Sequence, residues 1–178
     1  MKNILKHKIL FLALGIILFS NIAVTETKEN AEQKMLPIEF NGTAKLLAEG
    51  LLRCSSLYTA HEIFALRICG YNDTKLDMDE FIESEEFKSC GFYEQTKQRS
   101  YRASVFRFFL EDLSKEEGFS YEEFLQKSNP QVDQYYMEIS KTFRSISEKS
   151  ENSPTISLLL QNDSEACMDI LNIINKTD

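Results

Sequence analysis

The residues best suited to move a proton in this chain are one histidine, one tyrosine and one aspartate. His61 lies on the apolar seam of a long N-terminal helix, Tyr58 precedes it by three residues, and Asp163 lies on the last helix. If those two helices are antiparallel neighbours, Tyr58 comes level with Asp163 and His61 is diagonal to it. A buried cluster of this kind can act as a general base or as a pH sensor, because imidazole titrates near neutrality. The plainer account is a core histidine held by one carbonyl or phenol, the usual fate of a buried polar group.

Charge supplies the second candidate. The stretch EQTKQRSYRASVFR carries Lys97, Arg99, Arg102 and Arg107, with Tyr101 among them, and no other basic cluster lies beyond the N-terminal region. Arg99 and Arg102 are i,i+3 on a helix, so both guanidinium groups can reach one carboxylate or phosphate. The structural alternative is a solvated face paired with acids on neighbouring helices.

Two acidic runs invite comparison with calcium loops. In EDLSKEEGFSYEEF, placing Glu123 at position 12 puts Asp112 at position 1, Ser114 at 3 and Glu116 at 5. The glycine required at position 6 is Glu117, and Gly118 comes one residue late. Capping accounts for more of the stretch: Gly118 stops one helix, Ser120 and Glu123 form a capping box for the next, and Phe119 staples onto Phe124. The run DTKLDMDEFIESEEF, residues 73–87, has no glycine. It is better explained by a cap at Asp77 closed by Glu80, with Leu76 and Phe81 as the staple. Divalent-cation binding is kept only as an alternative. A glycine-rich phosphate loop, a paired-histidine motif and a serine elbow are all missing, so no cofactor is expected.

The elements that must position these residues are helical. With 6 Gly and 3 Pro in 178 residues and few alternating runs, strands have little support. A first helix over residues 43–69 carries Leu47, Cys54, His61 and Ile68 every seven residues, interleaved with Leu51, Tyr58 and Ala65. A short helix capped by Asp77 ends near Cys90–Gly91. The second long helix, residues 92–117, is expected to bury Val105, Phe108, Phe109 and Leu113. The third, residues 120–149, breaks at Ser128–Asn129 before Pro130 and shows a stripe of Val132, Tyr136, Ile139, Phe143 and Ile146. The fourth starts at Ser153–Pro154 and aligns Ile156, Leu160, Cys167, Leu171 and Ile174. The expected fold is an all-α, up-down four-helix bundle with a short extra helix between its first two long helices.

That architecture ranks the disulfide pairings. Cys54 and Cys69 are separated by about 22 Å along one helix and cannot bond. Cys69 ends the first helix and Cys90 precedes the second, so these two meet. Cys54 and Cys167 come level if the first and last helices are antiparallel neighbours. The predicted bridges are Cys69–Cys90 and Cys54–Cys167. Zinc is disfavoured because the cysteines are far apart in sequence and His61 is the only histidine outside the N-terminal region.

Compartment and partners follow from composition. Residues 1–23 have three lysines, an 11-residue apolar run and a small polar flank, the pattern of a secretory signal peptide and too short to span a bilayer. Residues 24–41 form a polar leader and residues 42–178 the bundle domain. An even cysteine count in an exported chain agrees with two disulfides. Without the signal, 17 basic residues face 28 acidic ones, a net charge of −11. Such acidity disfavours nucleic acid and anionic membrane as partners. Sequons at Asn41, Asn72, Asn162 and Asn175 are candidate glycan sites in a eukaryotic secretory pathway. The sequence therefore suggests a secreted or periplasmic protein that binds another protein or a small anionic ligand, as an inhibitor, immunity-type protein or ligand carrier. The rival is a small exported enzyme using His61 with Asp163 or nearby carboxylates.

Overall fold

The computed structural model describes residues 44–147 and 157–176. The expected signal peptide, the polar leader, Asn41, the Ser153–Pro154 helix start and Ile156 lie outside them. Four long helices form the bundle: α1 (Ala44–Ile68), α4 (Tyr93–Glu117), α6 (Ser128–Ser147) and α7 (Leu158–Lys176). Short helices α2 (Met78–Glu83) and α3 (Glu85–Lys88) fill the α1–α4 connection, after a 3₁₀ turn at Tyr71–Asp73, and α5 (Tyr121–Gln126) precedes α6. No strand occurs among the described residues.

Helix α1 is the hub. Leu and Ala are its commonest residues and no proline interrupts it, which favours a helix despite the interior Gly50. Fourteen of its 25 residues are buried, too many for one stripe, because α4, α6 and α7 all pack around it. The expected seam supplies Leu47, Leu51, Cys54, Tyr58 and Ala65. The faces beside it add Leu52, Leu57, Ala60, Phe64 and Leu66. Two seam positions depart from expectation: His61 is half-buried, and Ile68, the last residue of the helix, is 47 % exposed.

Helix directions follow from the contacts. Tyr58 stacks on Phe106 and Cys69 bonds Cys90, so α1 and α4 are antiparallel. Ser56 bonds Gln131 and Phe64 meets Phe143 edge-on at 5.2 Å, so α1 and α6 are parallel. The up-down order is thus realised, and both expected disulfides form. Cys54–Cys167 spans 113 residues and is fully buried, contributing about 4–5 kcal/mol in the chain-entropy account. Cys69–Cys90 spans 21 residues at the bundle's edge.

The buried stripes of two helices differ from the expected ones. On α4, Thr96, Ala103, Phe106, Leu110 and Leu113 face inward, and Phe108 is 58 % exposed. The repeat 96–103–110 with 106–113 interleaved faces α1, and Phe108 falls outside it. On α6, Tyr135 replaces Tyr136 as the fully buried tyrosine, while Phe143 and Ile146 are exposed, Phe143 keeping an edge contact with Phe64 near the end of α1. The break expected at Ser128–Asn129 comes at Lys127, and α6 opens at Ser128 with Pro130 in its first turn, where a missing N–H costs nothing.

A second apolar cluster sits apart from the main core. Leu66, Phe81 and Phe87 are buried together, ringed by Cys69, Tyr71, Cys90 and Tyr93. One expected short helix is two: Ser84 accepts the Phe87 N–H at 3.2 Å and donates to the Phe81 carbonyl at 2.7 Å, capping one helix and closing the other. Asp77 and Glu80 form the expected capping box. Phe81 packs on Tyr71 and Phe87 instead of Leu76, which is exposed. Gly70 has φ of 98°, a left-handed conformation that turns the chain out of α1.

Candidate functional site

Asp163 is 1 % exposed, yet it does not meet Tyr58. Arg53 donates through Nη2 to both of its carboxylate oxygens, at 2.8 and 2.6 Å, and the Tyr135 hydroxyl donates to Oδ2. Tyr58 follows Arg53 by five residues, about 140° around a helix, so the two project from different faces of α1. The expected Tyr58–Asp163 register is corrected on this ground: the α7 carboxylate meets the face of α1 that carries Arg53. Burial and the neighbouring Asp163 charge raise the Tyr135 pKa. Burial works against the Arg53 charge, but Tyr135 and Asp163 outweigh it and hold the guanidinium ionised. Arg53 and Tyr135 were not among the residues expected from the sequence. A lone charge inside the apolar run LLRCSSLY, beside Cys54 and with Asp163 one turn before Cys167, was the available signal.

The other face of α1 holds a different set. Tyr58 stacks on Phe106, with centroids 5.9 Å apart and planes 8° from parallel. The Arg102 guanidinium lies over the Tyr58 ring, 5.5 Å from its centroid. Burial raises the Tyr58 pKa, while Arg102 and Arg99 pull it back. His61 is pushed down to about 4, first by burial and then by the Arg99 charge. The imidazole is therefore neutral at pH 7, and Asp163 is not beside it.

Arg99 and Arg102 are both half-buried on α4. Arg99 occupies the inward repeat between Thr96 and Ala103, a position otherwise taken by apolar or small side chains. Burial lowers its pKa, and so does the like charge of Arg102. Among the described residues, no carboxylate lies within ion-pair distance of either arginine. A desolvated cation without a counter-charge is costly. Two such cations sharing one place, with a phenol hydroxyl adjacent, form an arrangement that an anion would relieve.

The remaining candidates separate. Arg107 turns to α1, donating to Ser55 Oγ at 3.1 Å and Thr59 Oγ1 at 2.6 Å. Lys97 and Tyr101 are exposed, Tyr101 at the rim of a groove between α4 and α7. Of the calcium-loop set, Ser114 is buried and its hydroxyl donates to the Glu111 carbonyl, while Asp112, Glu116 and Glu123 do not converge with it. Gly118 is the left-handed C-cap of α4, and Ser120 accepts the Glu123 N–H at 3.3 Å. The reciprocal bond, from the Ser120 backbone N–H to the Glu123 side chain, is not formed, and the Ser120 hydroxyl donates to Glu122 Oε2 at 3.3 Å. Phe119 and Phe124 form the expected staple at 5.0 Å. Of the sequons, Asn72 and Asn162 are exposed.

The chain matches no protein-family description, no curated protein and no solved structure. Its two disulfides belong to an oxidising environment, and among the described residues no helix is long and apolar enough to cross a membrane.

Proposed function

We propose that this is an exported binding protein whose α4 arginine pair captures an anionic group on a protein or small ligand. One observation carries the reading: Arg99 and Arg102 are half-buried side by side, with no carboxylate partner among the described residues. Tyr58, under Arg102, supplies a third donor. Export is supported by the signal-like residues 1–23 and by the two disulfides. The rival reading, a small exported enzyme, uses His61 with Asp163 or nearby carboxylates; its Asp163 form has less support, because Asp163 is engaged by Arg53 and Tyr135.

The test is a titration of the oxidised protein with acetate and with inorganic phosphate at constant ionic strength, following arginine side-chain N–H signals by NMR. Saturable shifts at Arg99 and Arg102 in the millimolar range are expected. Arg53, already engaged by Asp163, should not respond. Arg99→Glu/Arg102→Glu should abolish the response. Uniform, non-saturating drift at all arginines would sink the reading.

A further inference from the structure

Beside the arginine pair, α4 and α7 leave a groove of about 260 Å³. Val105 of α4 and Met168 and Leu171 of α7 make its apolar wall, Asn172 and Tyr101 its polar edge, and Arg102 stands at one side. Arg102 is shared: it also lies over Tyr58 and next to Arg99. One guanidinium therefore joins an apolar recess to a cationic site.

We infer that the site takes a small amphipathic carboxylate, with its charged end on Arg102 and Arg99 and one apolar group in the groove between α4 and α7. This deepens the reading of the arginine pair as an anion site and rests on it. Three features select the ligand class. The positive charge is local on a chain of net charge −8, so an anion is drawn to this place in particular. The recess falls below the roughly 300–1,000 Å³ of pockets for drug-sized molecules, so it holds one ring or one branched chain and not a long acyl tail. Its apolar wall would be left uncovered by a bare phosphate or acetate. The Met168 thioether adds adaptability, since an unbranched side chain reshapes around differing groups.

The probe is 4-phenylbutyrate, titrated into the oxidised full chain labelled with ¹³C at its methionine methyl groups. Met168 lines the groove, while Met78 and Met137 are exposed on α2 and α6 and act as references. The expected result is a saturable shift of the Met168 methyl alone. The neutral 4-phenylbutanol should bind about tenfold weaker or worse, the loss of a hydrogen-bonded charge. Arg102→Gln should cause a similar loss. So should Arg99→Gln, which does not line the groove and so leaves its shape intact. Lys115→Gln, at an exposed lysine paired with Glu111, should change nothing. Equal binding of acid and alcohol would overturn the inference by showing a merely apolar recess. If 4-phenylbutyrate bound no tighter than acetate, the groove would be irrelevant, with the anion site still standing. If no anion moved Arg99 or Arg102, both readings would fall together.

Discussion

Arg53 and Arg99 sit at comparable depth on neighbouring helices, and their surroundings differ in kind. Arg53 is enclosed by Asp163 and Tyr135, with side-chain exposure of 11 % against 2 % for Asp163. Arg99 has another arginine, a phenol and a neutral imidazole. A buried ion pair contributes little net stability over a well-packed apolar replacement, but removing one partner is expensive. The first site is therefore scaffold, complete within the chain. The second lacks a counter-charge among the described residues, and its cost is recoverable only by something that brings one.

The largest expected effect lies at the scaffold site. Asp163→Ala strands a mostly buried guanidinium and should lower unfolding free energy by about 3–5 kcal/mol, measured by urea denaturation of the oxidised protein. A loss below about 1 kcal/mol would mean that water or another group readily replaces the carboxylate, and the contrast between the two arginines would collapse.

The next effect depends on pH. His61 titrates at about 4 in the fold, against an ordinary 6.5, so the unfolded chain binds its proton first. Above pH 6.5 the imidazole is neutral in both states and there is no penalty. As pH falls from 6.5 towards 4, stability is lost, and below about 4 the full penalty of about 1–3 kcal/mol is expressed. Carboxylates titrate in the same window, so the readout is the difference between the protein and His61→Gln at pH 7 and pH 4. That difference should move in favour of the variant by this amount on acidification. A constant difference would place His61 in water.

The smallest effect sharpens the comparison most. Arg99→Gln should be neutral or stabilising, within about 1 kcal/mol, because it removes a desolvated charge that repels Arg102. If thermal denaturation showed a loss as large as that from Asp163→Ala, Arg99 would be a structural element with a counter-charge of its own.

Much of the architecture was legible in the sequence because helix periodicity and caps are local signals. The α4 bounds, the Asp77–Glu80 box, the Phe119–Phe124 staple and both disulfides depend on spacing along the chain or on the meeting of helix ends. What could not be read was which face of each helix turns inward. Tyr135 and Tyr136 are equally apolar, and so are Phe106 and Phe108. The choice is made by α1, which is buried nearly all round and so presents three faces instead of one seam. The same ambiguity misplaced Tyr58 opposite Asp163, since a five-residue difference from Arg53 moves the contact to another side of the hub. Arg99 and Arg102 could be singled out by composition, but their lack of acidic partners is a property of the packing.

The Cys54–Cys167 bridge also bears on the order in which the chain can mature. A polypeptide crossing a membrane or leaving a ribosome delivers Cys54, Cys69 and Cys90 well before Cys167. Cys69–Cys90 can close while the last helix is still absent, but Cys54 must wait. Throughout that interval the α7-facing side of the hub helix is bare, and Cys54 is an uncommitted thiol that can engage Cys90 wrongly. Correct maturation thus favours a compartment with a disulfide-shuffling catalyst as well as an oxidant. Sealing the first helix to the last then makes the finished bundle a closed covalent circuit, which no single peptide-bond cleavage between residues 54 and 167 can separate into two pieces.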